Sequence, residues 1–141
     1  MAGWSDITLY TIDEATNDLA RYEPQLAGTA TDDDRDLVKA RIEDDLLNRM
    51  RHLQQLGESR YGKDFFLLDH LENPAVLQRP ACYYAIYLYF RGRVIVENDE
   101  FARRSYEYEK LFALAFDAAC RRLRWSKDLI DNKSGQIKLT R

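Results

Sequence analysis

A run of apolar and aromatic residues in the middle of the chain constrains the fold more than any other feature. From Ala81 to Phe90 the run contains no charged residue, and Arg79 and Arg91 bracket it. A helix without a polar face is usually buried on every side, and this run is too short to cross a bilayer. We therefore predict a central core helix in a soluble bundle, with Pro80 in its first turn.

A second long helix is predicted directly after this run. Asp99 stands where an N-terminal cap is expected, and arginines near the other end suit the helix dipole. Because the connection at residues 97–99 is short, the two helices should pack antiparallel. The predicted buried face, with apolar residues at spacings of three and four, comprises Phe101, Ser105, Tyr108, Phe112, Ala115, Ala119 and Leu123, widened by Leu111 and Phe116.

Two more helices are predicted before the apolar run. Thr11 and Glu14 have the spacing of a capping box, which would open a short helix that ends near Pro24. A longer helix should begin at Thr31 and end at Gly57, because apolar residues recur at helical spacing between them. The sequence therefore predicts an all-α fold, a small bundle of about four helices with an extended N-terminal arm and a C-terminal tail or hairpin.

Large apolar residues also stand outside the predicted helices, at both ends of the chain. We divide the chain into a helical domain with an N-terminal arm, residues 1–124, and a C-terminal interaction tail, residues 125–141. The arm carries a tryptophan, so it should dock on its own core or on a neighbouring subunit. The tail could form a hairpin or add a strand to the edge of a sheet. The predicted interface residues are Trp4, Ile7, Leu9, Trp125, Leu129, Ile130, Ile137, Leu139 and Arg141.

Charge is distributed unevenly along the chain, whose net charge is −3. Residues 121–141 carry seven Lys or Arg against two acidic residues, whereas residues 1–120 carry fourteen against twenty-two. A basic end on an acidic body indicates an interaction surface, although a solvated tail would give the same pattern. Cys82 and Cys120 match no disulfide or zinc framework, so we expect buried free thiols and a cytoplasmic setting.

The sequence contains no recognisable catalytic motif. It lacks a phosphate-binding glycine loop, a dinucleotide fingerprint and a Gly-x-Ser-x-Gly pattern. His52 and His70 stand alone, and a surface or packed imidazole is the favoured interpretation of each. Acidic clusters at residues 32–34 and 43–45 could bind a divalent cation, but a charged helix start and a solvated helix face are favoured. We therefore expect no enzymatic activity, no cofactor and no metal.

Four tyrosines, at positions 83, 84, 87 and 89, cluster in the predicted central helix. They could stack on nucleic-acid bases, but no Lys or Arg is interleaved with them. Packing between neighbouring helices, with the hydroxyls at the rim, is the favoured interpretation. The abundance of Tyr and Trp also suits a protein–protein surface.

The order of these elements resembles the head–tail adaptor, or head-completion, proteins of tailed bacteriophages. The similarity covers about residues 11–135 and rests on helix order and on three segments. These are Arg79-Pro-Ala-Cys with the aromatic run to Phe90, the helix from Phe101 to Leu123, and the tail from Trp125 to Gly135. The resemblance implies a helical bundle that assembles into a ring, commonly of twelve copies, beneath the portal vertex.

The same resemblance implies the partners and the location of the protein. Its partners would be the portal protein, the next neck or tail component, and further copies of itself. DNA would pass through the ring without sequence-specific binding, since an acidic body disfavours contact with phosphate. The protein would be made in the host bacterial cytoplasm and reside in the neck of the virion, with no membrane association.

Two other interpretations stay open at this point. The chain could be a small dimeric helical regulatory or adaptor protein of bacterial origin, with the aromatic helices as its dimer interface. It could also bind nucleic acid through its basic end, although the aromatic and basic residues lie in different segments.

Overall fold

The computed structural model describes residues 3–10, 18–23, 32–96 and 99–126. These residues are mostly helical and include no strand, so the predicted all-α bundle is confirmed. The four α-helices of the described ranges are α1 (Asp32–Arg49), α2 (Arg51–Tyr61), α3 (Gln78–Arg91) and α4 (Glu100–Cys120). Four 3-10 turns among the described residues cover Trp4–Asp6, Asp18–Arg21, Leu67–His70 and Pro74–Leu77. No helix in the described ranges is both long enough and apolar enough to span a membrane.

Helices α3 and α4 form an antiparallel hairpin at the centre of the bundle, as the apolar run predicts. Phe90, near the end of α3, stacks on Tyr108 with ring centroids 5.9 Å apart, and Tyr84 meets Phe112 at 5.1 Å. Cys82, Ile86 and Phe90 are fully buried. Burial is incomplete on the tyrosine side, where the four tyrosines of α3 are half-buried. Helix α3 has no charged face, but the edges of its tyrosine rings are exposed to solvent.

Helix α4 begins at the predicted cap and buries most of the predicted face. The Asp99 carboxylate accepts a hydrogen bond from the backbone N–H of Ala102 at 2.8 Å, which satisfies one donor of the first turn. Phe112 and Phe116 lie in the core. Two assignments to the buried face are wrong, because Phe101 and Leu111 are 37% and 40% exposed. Periodicity indicates which residues share a helix face, but not how far neighbouring elements extend over it.

The single long helix predicted up to Gly57 is two helices. The chain departs from helical geometry at Met50, with φ −108° and ψ 28°, and α2 starts at the next residue. Gly57 lies inside α2, which ends at Gly62 with a positive φ of 106°. The predicted end at Gly57 is therefore wrong. Gly62 supplies the conformation that stops the helix, and Gly57 serves close packing instead.

The N-terminal arm packs on the polar side of α1. The indole Nε1 of Trp4 donates to Glu43 Oε1 at 2.8 Å, and Lys39 Nζ donates to the carbonyl of Ile7 at 2.7 Å. Trp4 is 3% exposed. Of the two docking options for the arm, contact with its own core is the one observed. The capping box at residues 11–14 and the segment around Pro24 lie outside the described residues.

The chain that follows α4 is held by the connector that precedes α3. Leu71 and Trp125 form an isolated antiparallel bridge, and Trp125 is 5% exposed. The side chain of Asn73 donates to the carbonyl of Arg122 and accepts from the N–H of Arg124. Asn73 precedes the 3-10 turn Pro74–Leu77, but its side chain makes no cap hydrogen bond to that turn. It clamps the start of the C-terminal segment instead.

Candidate protein interface

The residues predicted to form the interface divide into two groups. Trp4, Leu9 and Trp125 lie in the core of their own chain, and Ile7 is half-buried against it. Their side chains stabilise the protomer, and a role for them between subunits stays a prediction. The remaining predicted interface residues, Leu129, Ile130, Ile137, Leu139 and Arg141, lie outside the described residues.

An open groove runs between the start of α3 and the second half of α4. Its volume is about 480 Å³. We call it the α3–α4 groove. Its described lining is Val76, Arg79, Pro80, Tyr83, Leu111, Leu114, Ala115, Ala118, Ala119 and Arg122. All but the two arginines in this set are apolar or aromatic.

The shape of the α3–α4 groove follows from side-chain size along α4. Ala115, Ala118 and Ala119 reach only a short distance from the helix, whereas Leu111 and Leu114 project further. Because residues three and four apart share a helix face, the alanines form a depression beside the leucines. Leu114 is 70% exposed, so the wall of the groove offers apolar surface to solvent. An apolar patch bordered by arginines is typical of a protein-binding surface.

A second exposed apolar feature lies in the loop between α3 and α4. Ile95 is 87% exposed and Val96 is 62% exposed. We call these two residues the apolar tip. The Asp99 carboxylate accepts hydrogen bonds from the N–H groups of Ile95 at 2.9 Å and Val96 at 3.3 Å. These backbone hydrogen bonds, with that of Ala102, hold the pKa of Asp99 below its usual value. A charged carboxylate thus fixes the apolar tip to the first turn of α4.

A cluster of partly buried polar side chains connects residues 18–23 to the hairpin. Glu23 accepts hydrogen bonds from Arg104 at 2.7 Å and from the Tyr108 hydroxyl at 2.5 Å. Burial and the neighbouring Glu23 raise the pKa of Tyr108. Asp18 accepts in the same way from Gln78 at 2.9 Å. These groups satisfy one another, so the cluster has the character of a structural clamp.

The other chemically reactive side chains are held by internal contacts. The described residues contain no group of three His, Cys, Asp or Glu that could hold a metal ion. In the second acidic cluster, Glu43 accepts from Trp4 and Asp45 accepts from Arg41. The side chains at positions 32 and 33 of the first cluster are not described.

Packing or solvent exposure also accounts for the isolated histidine and cysteine residues. His70 stacks on Phe65 with ring centroids 5.0 Å apart, as a packed imidazole would. His52 is exposed. Cys82 is a fully buried free thiol, and burial raises its pKa to about 12. Cys120 is a free thiol that is only half-buried.

Comparisons of the chain with protein-family models, with curated proteins and with solved structures found no match. Inference of function therefore depends on the sequence resemblance and on the surfaces of the chain, chiefly the α3–α4 groove and the apolar tip. The sequence pattern does not predict either surface. The available signal was the spread of apolar residues around α4, where Leu111, Leu114 and Ala118 extend beyond one helix face.

Proposed function

We propose that this chain is a structural adaptor of the neck of a tailed bacteriophage. It would form a homo-oligomeric ring between the portal and the next neck or tail component, and the ring would continue the DNA channel. The resemblance in helix order and segment pattern supplies the class of protein, and twelve copies is the number common in that class. The protein would be made in the host cytoplasm and incorporated into the virion.

The observation that carries the proposal is the presence of two different apolar surfaces on one helical hairpin. The α3–α4 groove lies at one end of the hairpin and the apolar tip lies at the other. Exposed apolar patches on a folded chain mark sites where other proteins bind. A subunit with such surfaces at both ends is suited to repeated lateral contact.

The hairpin itself supports a scaffolding role. Its aromatic side chains interlock, since Phe90 contacts both Phe101 and Tyr108 within 6.3 Å between ring centroids. Close-packed interiors deform little, so a load applied at one end is carried to the other. A ring built from rigid hairpins would keep a fixed channel diameter while DNA passes.

The charge distribution supports a channel that does not retain DNA. Residues 1–120 carry twenty-two acidic residues against fourteen Lys or Arg. DNA binding by proteins depends on cationic contacts to phosphate, and an acidic wall disfavours them. DNA would therefore slide through the ring without sequence-specific contact.

Co-sedimentation with purified portal rings of the same phage tests the proposal. The full chain is compared with a chain truncated after Ser126, because that boundary keeps the buried Trp125 and its bridge to Leu71. We expect the full chain to sediment with the portal at a saturating ratio. Loss of binding on truncation would assign portal contact to the tail. Retention would assign it to the helical domain.

A protein of the alternative class, a small dimeric regulator or adaptor, would behave differently in the same experiment. A dimeric regulatory or adaptor protein of bacterial origin would stay in the supernatant with or without the tail. Analytical ultracentrifugation would then give a stable dimer. That combination of results would contradict the neck-adaptor proposal.

A further inference from the structure

The α3–α4 groove and the apolar tip belong to one chain but do not reach one another. Helix α3 contains 14 residues, and the helical rise per residue separates its ends by roughly 20 Å. Arg79 stands at its start, whereas Ile95 follows its end. Because Asp99 fixes Ile95 to the start of α4, the tip cannot fold back along the hairpin. Any tip that enters the groove must come from another copy.

The two surfaces are complementary in both hydrophobicity and charge. The described lining of the groove is apolar apart from Arg79 and Arg122, both exposed. The tip offers Ile95 and Val96. Residues 97–100, which follow it, contain three acidic residues and no basic one, whereas Arg93, which precedes it, lies over the ring of Tyr89. Apolar contact at the centre with opposite charges at the rim is the usual arrangement of a protein interface.

We infer that the apolar tip of one copy docks into the α3–α4 groove of a second copy, which brings the net negative charge of residues 97–100 near Arg79 and Arg122. This inference deepens the proposed ring and rests on it. The two surfaces differ, so the contact is heterologous, and every copy offers one tip and one groove. A heterologous contact closes into a ring when its rotation closes, and otherwise continues as a filament.

The tip is prepared for this contact before binding. The Asp99 carboxylate holds the backbone of Ile95 and Val96 through two hydrogen bonds. Backbone that is already held by hydrogen bonds loses less conformational entropy on association than backbone that must be ordered. Asp99 therefore acts as a positioning residue for the interface.

The C-terminal tail is a weaker candidate for the same groove. Residues 127–141 carry four Lys or Arg and two acidic residues, a net charge of +2. This is the same sign as the two arginines at the edge of the groove, and like charges oppose contact. The acidic stretch after the tip brings the opposite sign.

Cysteine cross-linking between copies tests the inference directly. In a Cys120→Ser background, which leaves the buried Cys82 as the native thiol, one preparation carries Ile95→Cys and a second, tagged preparation carries Leu114→Cys. Both positions are exposed, and matching Tm values would show that the variants fold. Mixing with oxidised glutathione joins neighbouring thiols, which lose two electrons to the glutathione disulfide. We expect the yield of the disulfide between Ile95→Cys and Leu114→Cys copies to exceed the yield of either disulfide-linked homodimer several-fold.

Two matched control variants distinguish a specific contact between tip and groove from cross-linking by random collision. Leu37→Cys replaces Leu114→Cys in the first, because Leu37 is 60% exposed on α1 and outside the groove. In the second, Leu139→Cys replaces Ile95→Cys to test the tail as the occupant. A tip–groove yield no greater than the Leu37 control would overturn the inference. A larger yield for Leu139 would also overturn it in favour of the tail.

Charge reversal adds an independent readout. The Leu114→Cys copy with Arg79→Glu and Arg122→Glu should give several-fold less mixed disulfide with Ile95→Cys. An unchanged yield would contradict the assigned orientation.

Failure of this inference is separable from failure of the proposed function. Portal binding without tip–groove cross-links would overturn the inference alone, whereas cross-links without portal binding would leave an assembly of another class.

Discussion

The ring of Phe65 lies directly against the α-carbon of Gly57, so a β-carbon at position 57 would stand 2.1 Å from Phe65 Cε2. This contact fixes the connector between α2 and α3 onto the body of the bundle. Gln54 supports it from one turn earlier, since its side-chain amide donates to the carbonyl of Phe65 and accepts from the N–H of Leu67. A glycine inside a helix is explained here by what packs on it.

Gly57→Ala should destabilise the protein. In an open helix alanine is more stable than glycine by about 1 kcal/mol. Here overpacking against Phe65 should outweigh that gain in stability and lower the free energy of unfolding by about 1–3 kcal/mol. Urea denaturation measures the change. Gly92→Ala is the matched control, since its β-carbon would meet Leu88 O at 3.4 Å and need no displacement. A stabilised Gly57→Ala variant would contradict the packing described.

Trp4→Phe should loosen the N-terminal arm. The substitution removes the hydrogen bond from the indole to Glu43 and leaves that half-buried carboxylate without this donor. Losing one partner of a part-buried hydrogen bond should cost about 1–3 kcal/mol. Thermal denaturation measures the loss, with Trp125 as the remaining tryptophan reporter. Ser5→Ala, in the same arm but exposed, is the control. Equal stability of the two variants would contradict docking of the arm on α1.

Asn73→Ala should release the segment that carries Trp125. It removes two hydrogen bonds, one to the carbonyl of Arg122 and one from the N–H of Arg124. At the usual net value per bond, the loss is about 1–3 kcal/mol. Fluorescence of Trp125 in a Trp4→Phe background should shift to longer wavelength as the indole meets water. Asn48→Ala, which removes an exposed contact with Arg51, should leave the emission unchanged.

Asp99→Asn should lower Tm at neutral pH, and the difference should shrink in acid. The folded protein holds the pKa of Asp99 below its usual value through backbone hydrogen bonds, led by that of Ile95. A carboxyl with a lowered folded pKa contributes stability above its unfolded pKa, about 3.9, and loses it as pH falls through the folded pKa. Tm measured from pH 7 down to pH 2 checks this. A constant difference across that range would exclude a role for the charge.

The two thiols should differ sharply in reactivity. Cys82 is fully buried and its pKa is raised to about 12, so its thiolate is scarce and inaccessible at neutral pH. Cys120 is half-buried, and burial raises its pKa as well. A maleimide reagent followed by mass spectrometry should label Cys120 first and Cys82 only in denaturant. Rapid labelling of native Cys82 would contradict the packing of α3.

The sequence predicts the parts of the fold that depend on local pattern. The aromatic run of α3, the Asp99 cap and most of the buried face of α4 follow from periodicity and helix-end chemistry. These elements are long, so many residues contribute to the same signal. The buried positions Val38, Ile42 and Leu46 of α1 follow in the same way.

Features that depend on distant contacts were not predictable from local pattern. Gly57 has the local signature of a helix end, but Phe65 uses it for close approach. Lys39 and Glu43 have the spacing of a solvated face, yet the arm covers them from more than thirty residues away. The α3–α4 groove was missed for the same reason, because periodicity does not reveal where a neighbouring element stops.

Electron microscopy of the full-length protein mixed with purified portal rings would show whether the protein is a neck adaptor. We expect one additional ring on the outer face of the portal, around the DNA exit, in which the loop between α3 and α4 of each copy contacts the α3–α4 groove of the next. Portals that stay bare at saturating protein, while the protein alone remains a stable symmetric dimer, would contradict it.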